Sequence, residues 1–228
     1  MRGAERRSNP PEGSQIGGGL LRSARSDNRF PGYSTLAKRD TPSWNAQTRA
    51  VVDKRLNEPP PHRFFTDEEW ALLVAICARI IPQPTQRDRN VPIAPFIDRK
   101  MAENHGDGFQ QEGLPGMQRV WRRGLSAIDA EASLRFGAAF IDLPAGRQDE
   151  VLHMVQQGDV RAPAWADLPA QQFFKGRLLI DIVTMYYAHP QAWDEIGFGG
   201  PASPRGYVRM GFDRYDPWEA PRDAVEHA

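Results

Sequence analysis

The amino-acid sequence predicts an all-α fold: an irregular array of about five helices, with a long ordered C-terminal segment and a disordered N-terminal tail. Three observations predict this fold. Apolar residues recur at helical spacing in five separate stretches after residue 63. Proline and glycine, with 20 copies each, stand where those stretches begin and end. No run of alternating β-branched residues indicates a strand.

Length and charge narrow the class of protein. The 228 residues suffice for one domain with a sizeable core. The 29 Lys and Arg residues balance the 29 Asp and Glu residues, so no overall positive field favours nucleic acid. No stretch approaches the ~20 apolar residues of a transmembrane helix. The single cysteine, Cys77, excludes an intrachain disulfide, and its apolar neighbours indicate a buried position.

Residues 1–62 are predicted to form a basic tail, rich in proline and glycine and disordered. They contain 11 Lys and Arg residues against 6 Asp and Glu residues. Residues 46–57 are compatible with a short helix that docks on the domain or on a partner, and the pattern leaves this open. The predicted domain covers residues 63–223, and residues 224–228 form a short C-terminal tail.

The first helix of the domain has the clearest start signal. Thr66 and Glu69 have capping-box spacing, in which each side chain can bond to the other residue's backbone amide. Pro82 ends the helix. Its apolar positions are Trp70, Leu73, Val74, Cys77, Ile80 and Ile81.

Three further helices follow at similar intervals. Apolar spacing together with proline and glycine signals predicts them over residues 92–105, 116–136 and 144–158. The longest, 116–136, buries Trp121, Leu125, Ile128 and Ala132 on one face.

A fifth helix, from about Pro169 to Tyr187, is apolar around most of its circumference. Arg177, Asp181 and Thr184 share its one polar stripe. So apolar a helix should lie at the centre of a bundle or beneath a partner. Arg177 and Asp181 have i, i+4 spacing and form a candidate ion pair. The alternative is that Asp181 is a buried acid positioned for proton transfer.

Glu150 and His153 form a Glu-x-x-His pair, which suggests a di-iron bundle. Such a site needs a second Glu-x-x-His, and the sequence has none. A surface glutamate and a boundary histidine are therefore favoured. His189, at the end of the fifth helix, is predicted to cap terminal carbonyls. The sequence thus predicts no catalytic residue, no metal ligand and no bound cofactor.

The segment after the fifth helix contains Gly197-Phe198-Gly199-Gly200-Pro201. A phosphate-binding loop needs a strand before the glycines and a helix after them, and neither is predicted here. Trp193, Phe198 and Tyr207 project from this segment and are candidate interface anchors. The alternative is that these aromatic side chains cover their own domain.

Residues 186–208 resemble the C-terminal signature of the gluconate 2-dehydrogenase subunit 3 family. The similarity covers most of residues 63–223. It implies a non-catalytic small subunit, without flavin or haem, that binds, stabilises or helps mature a flavin-dependent (GMC-type) sugar or alcohol dehydrogenase catalytic subunit. A cytochrome c subunit is often present in such complexes. The expected partner interface comprises Trp193, Phe198, Tyr207, Tyr186 and Tyr187.

One departure from the family concerns localisation. Members are typically periplasmic and membrane-associated, and many begin with a twin-arginine signal. Here Arg6-Arg7 is followed by Asn9-Pro10-Pro11 rather than by an apolar stretch. The expectation is a cytoplasmic protein unless a partner's signal carries it.

Two alternatives to the accessory subunit remain. One is a self-sufficient helical metalloprotein or enzyme that uses Glu150 and His153, or Asp181. The other is a helical interaction protein whose basic tail binds membranes.

Overall fold

The computed structural model describes residues 33–85, 87, 89–104, 106–108, 113–203 and 206. Within these ranges the protein has seven α-helices and no strand, which confirms the all-α prediction. None of these helices is long and apolar enough to cross a membrane. They are α1 (Ala46–Asn57), α2 (Asp67–Ile80), α3 (Ile93–Ala102), α4 (Met117–Phe136), α5 (Ala145–Gln157), α6 (Ala170–Phe173) and α7 (Leu179–Tyr187).

Seven helices replace the five predicted for two reasons. The first is α1, which forms within the predicted tail. The second is that the fifth predicted helix is one continuous rod interrupted by a π-helical turn, Phe174–Leu178, between α6 and α7. Such wider turns often occur at functional positions in helices.

Helix α2 begins as its sequence signal predicts. The Glu69 amide donates to the Thr66 hydroxyl at 3.2 Å, and the Thr66 amide donates to the Glu69 carboxylate at 3.0 Å. Two donors that the helix start would otherwise leave unpaired are thereby satisfied. Three consecutive acids, Asp67 to Glu69, also place negative charge at the positive end of the helix dipole.

Helix α4 occupies the centre of the core. Trp121, Leu125 and Ile128 have no solvent exposure, and α4 packs against α2, α5 and α6. Gly124 allows the closest approach, because a Cβ atom there would lie only 2.1 Å from the Phe173 ring. The absence of a side chain at residue 124 is therefore what lets α6 lie against α4.

Buried carboxylates hold loops against these helices. Asp98 on α3 accepts hydrogen bonds from the backbone amides of residues 63–65 at 2.7–3.0 Å. Glu131 on α4 accepts from the amides of residues 161–162 and from Arg135. Burial alone would raise the pKa of Glu131, but these hydrogen bonds together lower it. Neither carboxylate is exposed, so both belong to the fold's framework.

Part of the predicted N-terminal tail packs against the end of the helical domain. Residues 33–57, here called the strap, lie against residues 190–203, here called the C-terminal loop. Trp44 and Val52 of the strap are buried together with Trp193 of the loop. The Thr35 amide and hydroxyl donate to Asp194 and to the Phe198 carbonyl, both at 2.8 Å. Apolar burial and paired polar groups thus hold the strap against the C-terminal loop.

Candidate functional site

The C-terminal loop starts from His189, which joins three parts of the chain. Its Nδ1 accepts from the Gln191 amide at 3.3 Å, and its Nε2 donates to the Arg55 carbonyl at 3.1 Å. The ring therefore caps the start of the 3-10 helix Pro190–Ile196. The prediction that it caps carbonyls of the preceding helix is wrong, because the chain turns and points the ring at the strap.

Burial keeps this histidine neutral. The side chain has no solvent exposure. Burial, opposed in part by the hydrogen bond to the Arg55 carbonyl, lowers the pKa of His189 to about 4. One nitrogen accepts and the other donates, which is the pattern of a neutral imidazole. His189 therefore acts as a fixed link between α7, the C-terminal loop and the strap.

The five aromatic residues expected at an interface occupy different environments. Trp193 and Tyr186 are buried within the chain's own fold. Tyr187 and Phe198 are 36% and 37% exposed. Tyr207 lies outside the described residues. Trp193 supports Phe198 by an edge-on contact with ring centroids 5.4 Å apart, so the buried ring positions the exposed one.

Tyr186 fastens the end of α7 to the C-terminal loop. Its hydroxyl donates to Glu195 at 2.7 Å and accepts from Arg87 at 3.2 Å. Arg87 also donates to Glu195, which closes a three-membered network. Burial and the neighbouring carboxylate raise the pKa of Tyr186. The phenol therefore stays protonated and acts as a hydrogen-bonded link.

Four apolar side chains on α7 and in the C-terminal loop are exposed. Ile180 is 48% exposed and lies seven residues before Tyr187 on the same face of α7. Ile196 is 50% exposed and follows Glu195. Burial raises the pKa of Tyr187, and the negative charge of Glu195 raises it further. Ile180, Tyr187, Ile196 and Phe198 are here called the C-terminal apolar surface.

Asp181 lies at the centre of a buried ion network. It is 1% exposed, and its oxygens accept from the Trp121 indole and from Lys100, each at 2.8 Å. The predicted pair with Arg177 is confirmed, with the guanidinium 3.3 Å away. Both carboxylate oxygens are therefore engaged by fixed donors, which favours a structural ion pair over an acid free to transfer a proton.

Asp107 closes the network from the loop after α3. Lys100 and Arg177 donate to it at 2.6 Å and 2.7 Å. Burial would raise the pKa of Asp107, but hydrogen bonds from these two cations lower it. The positive charges of Lys100 and Arg177 balance the negative charges of Asp107 and Asp181. The network therefore joins α3, α4 and α7 without a net charge.

The structure does not bring the remaining sequence candidates into a site. Glu150 and His153 are exposed on α5, and Glu150 pairs with Arg147 at 2.6 Å. Across the described ranges no group of three His, Cys, Asp or Glu residues is arranged to hold a metal ion. Cys77 is buried as predicted, and burial raises the pKa of its thiol.

A groove of about 580 Å³ lies elsewhere, between the start of α2 and the middle of α4. Its lining includes the apolar Leu72 and Leu125 and the charged Asp67, Glu68 and Arg122. None of the residues predicted to form a site lines it.

Comparison with known families gives one result. A family model described as gluconate 2-dehydrogenase subunit 3 matches residues 67–200, which is more than half of the chain. The match spans α2 to α7 and most of the C-terminal loop, and it leaves the strap outside. No curated protein and no solved structure matches the chain.

Proposed function

Because the chain belongs to the gluconate 2-dehydrogenase subunit 3 family, we propose that it is a non-catalytic small subunit of a dehydrogenase complex. It binds and stabilises the catalytic subunit, a flavin-dependent sugar or alcohol dehydrogenase, in a complex that also accommodates a cytochrome c subunit. The chain holds no cofactor of its own in this proposal. Oxidation of the substrate takes place entirely on the partner.

The observation that carries the proposal is the C-terminal apolar surface within the family-matched segment. Tyr187, Ile196 and Phe198 stand exposed at the end of α7 and in the loop, and Ile180 stands exposed at the start of α7. Single exposed apolar residues are common on soluble proteins. Here, however, Tyr186, Glu195 and Arg87 fix the backbone beneath them. Rigid, pre-positioned apolar and aromatic side chains are typical anchors of protein interfaces because little conformational entropy is lost on binding.

The buried polar groups support a framework role over catalysis. Asp181, Asp98 and Glu131 each accept at least two hydrogen bonds from fixed donors. A general acid or base must exchange its proton with substrate, which needs access and a free position. These carboxylates hold helices and loops together, as expected of a subunit whose task is to present a rigid surface.

The test is affinity purification of the tagged full chain from cells that contain its native partners. We expect a flavoprotein to co-elute, identified by the visible absorbance of oxidised flavin. The Tyr187→Ser/Phe198→Ser double variant should lose it, because both exposed anchors are removed. Leu134→Ser is the matched control, since Leu134 is equally apolar and exposed but lies on α4. A wild-type chain that elutes alone would contradict the proposal.

A further inference from the structure

Two arginines from separate parts of the chain contact one buried aromatic ring. Arg55 belongs to α1 in the strap, and Arg99 belongs to α3 in the helical core. Each guanidinium carbon lies 5.1 Å from the centroid of the Phe96 ring. Phe96 itself is 2% exposed. The ring therefore contacts two positive groups where the strap meets the core, and the charge of Arg99 acts on Arg55.

Neither arginine has a carboxylate partner among the described residues. The acid on each of their helices is otherwise engaged: Asp53 on α1 pairs with Arg39, and Asp98 on α3 accepts from the amides of residues 63–65. The Nε of Arg55 is buried and has no hydrogen-bond partner within the same part of the chain. Burial and the charge of Arg99 both lower the pKa of Arg55. Two like charges at a half-buried position are therefore unfavourable in the free chain.

We infer that Arg55 and Arg99 together form a receptor for a carboxylate of the partner subunit. This inference rests on the proposed function, because it names a contact of the same complex. Guanidinium groups present planar sets of donors that match a carboxylate. The Nε of Arg55 is buried, whereas the terminal nitrogens of Arg55 and the nitrogens of Arg99 are not among the buried unpaired atoms and can donate to a partner. Carboxylates are the anionic groups that an unmodified protein surface offers to such donors at neutral pH. The two positive charges then gain the counterion that the chain itself does not provide.

The placement of Arg55 makes the strap part of recognition. Arg99 lies within the family-matched segment, whereas Arg55 lies outside it. His189 donates to the backbone carbonyl of Arg55 and so holds this residue at the core. The receptor exists only while the strap is docked. The strap therefore supplies half of a binding site in addition to covering Trp193.

The experiment measures dissociation of the purified complex. The tagged chain is immobilised with its flavoprotein, and release of flavin absorbance is followed at increasing sodium chloride. Arg55→Gln and Arg99→Gln should each accelerate release at least about tenfold, because a partner carboxylate loses its cation. Arg147→Gln is the matched control, an exposed arginine on α5 already paired with Glu150. It should leave the release rate unchanged.

A second readout separates recognition from a structural role. Thermal unfolding of the free full chain should give the same or a higher Tm for Arg55→Gln and Arg99→Gln, because each removes repulsion between like charges. Release rates equal to that of the Arg147→Gln control would overturn the inference while leaving the proposed function intact. If inorganic phosphate raises the Tm of the wild type alone and release rates stay equal, the pair is a small-anion site and the inference also fails. Absence of any flavoprotein from the wild-type preparation would instead contradict the proposed function.

Discussion

The helical core and the strap are both built on a buried tryptophan, yet they are stabilised differently. Trp121 in the core has no exposure and belongs to an apolar cluster that draws residues from α2 to α7. Trp44 in the strap is 1% exposed but shares its cluster only with Val52 and Trp193 as buried neighbours. Equal burial therefore does not imply equal cooperativity. A region held by few contacts can open while the rest of the fold persists.

The largest expected effect tests this difference directly. Trp121→Ala should lower the free energy of unfolding by about 3–5 kcal/mol, because it leaves a large cavity and removes the indole donor of Asp181. Trp44→Ala should mainly raise amide hydrogen exchange in residues 35–57 and leave the core protected. Denaturant unfolding combined with region-resolved exchange measures both. Equal losses of global stability in the two variants would show that strap and core unfold as one unit.

The next largest effect is expected from acidification, which should destabilise the strap at a higher pH than the core. The folded pKa of His189, about 4, lies below the value of about 6.5 in an unfolded chain. The unfolded state binds the extra proton between these values. The stability contributed by neutral His189 is therefore complete above pH ~6.5 and falls by up to about 3 kcal/mol as the pH approaches 4. Since His189 holds the Arg55 carbonyl, the strap should lose protection first.

The core should lose stability only at a lower pH than the strap. Glu131 has a lowered pKa in the folded state, so its contribution is complete above its ordinary value of 4.5 and is lost as the pH falls below that value. At pH 5 to 6 hydrogen exchange should thus increase in the strap and remain slow in α4. His189→Gln should flatten the strap's response over this range. Parallel loss of protection in both regions would refute the assignment to His189.

Two Gly→Ala substitutions, one in the core and one beneath the strap, are expected to have effects of intermediate size on stability. A Cβ atom at Gly124 would meet the Phe173 ring at 2.1 Å, and one at Gly200 would meet the Thr35 methyl group at 2.5 Å. Gly200 also has a φ of +73°, which disfavours alanine. Each Gly→Ala change should cost about 1–3 kcal/mol. Gly124→Ala should lower the Tm, whereas Gly200→Ala should expose the strap to trypsin before global unfolding. A lowered Tm for Gly200→Ala together with early trypsin cleavage for Gly124→Ala would show that the core, and not the strap, is the less stable region.

The sequence predicts those parts of the fold that depend on neighbouring residues. The capping box of Thr66 and Glu69 is local, and α2 begins where it indicates. The short helix at residues 46–57 could be suggested from sequence, but where it docks could not, because Trp44 meets Trp193 only after the chain has folded. Asp98 and Glu131 were missed for the same reason: their partners are backbone amides in distant loops.

The aromatic residues of the predicted interface illustrate the same limit. Tyr186 and Tyr187 are adjacent and chemically identical, yet one is buried and the other exposed. Helical geometry turns neighbouring side chains by about 100°, so tertiary packing decides which one faces solvent. Trp193 and Phe198 likewise divide into a supporting ring and an exposed one. The sequence could place aromatics in this segment without distinguishing these two roles.

The smallest expected effect concerns the exposed polar residues of α5. Glu150 and His153 are exposed, and the Glu150 partner, Arg147, is exposed as well. Glu150→Gln and His153→Ala should each change the free energy of unfolding by no more than about 0.5 kcal/mol, because exposed ion pairs contribute little. Glu131→Gln is the contrasting variant: a buried acid that holds two loop amides, with an expected loss of about 1–3 kcal/mol. Urea unfolding at neutral pH compares the three. A loss above about 1 kcal/mol for His153→Ala would show that Glu-x-x-His makes a contact its exposure does not suggest, and it would revive the metal-binding hypothesis for this helix.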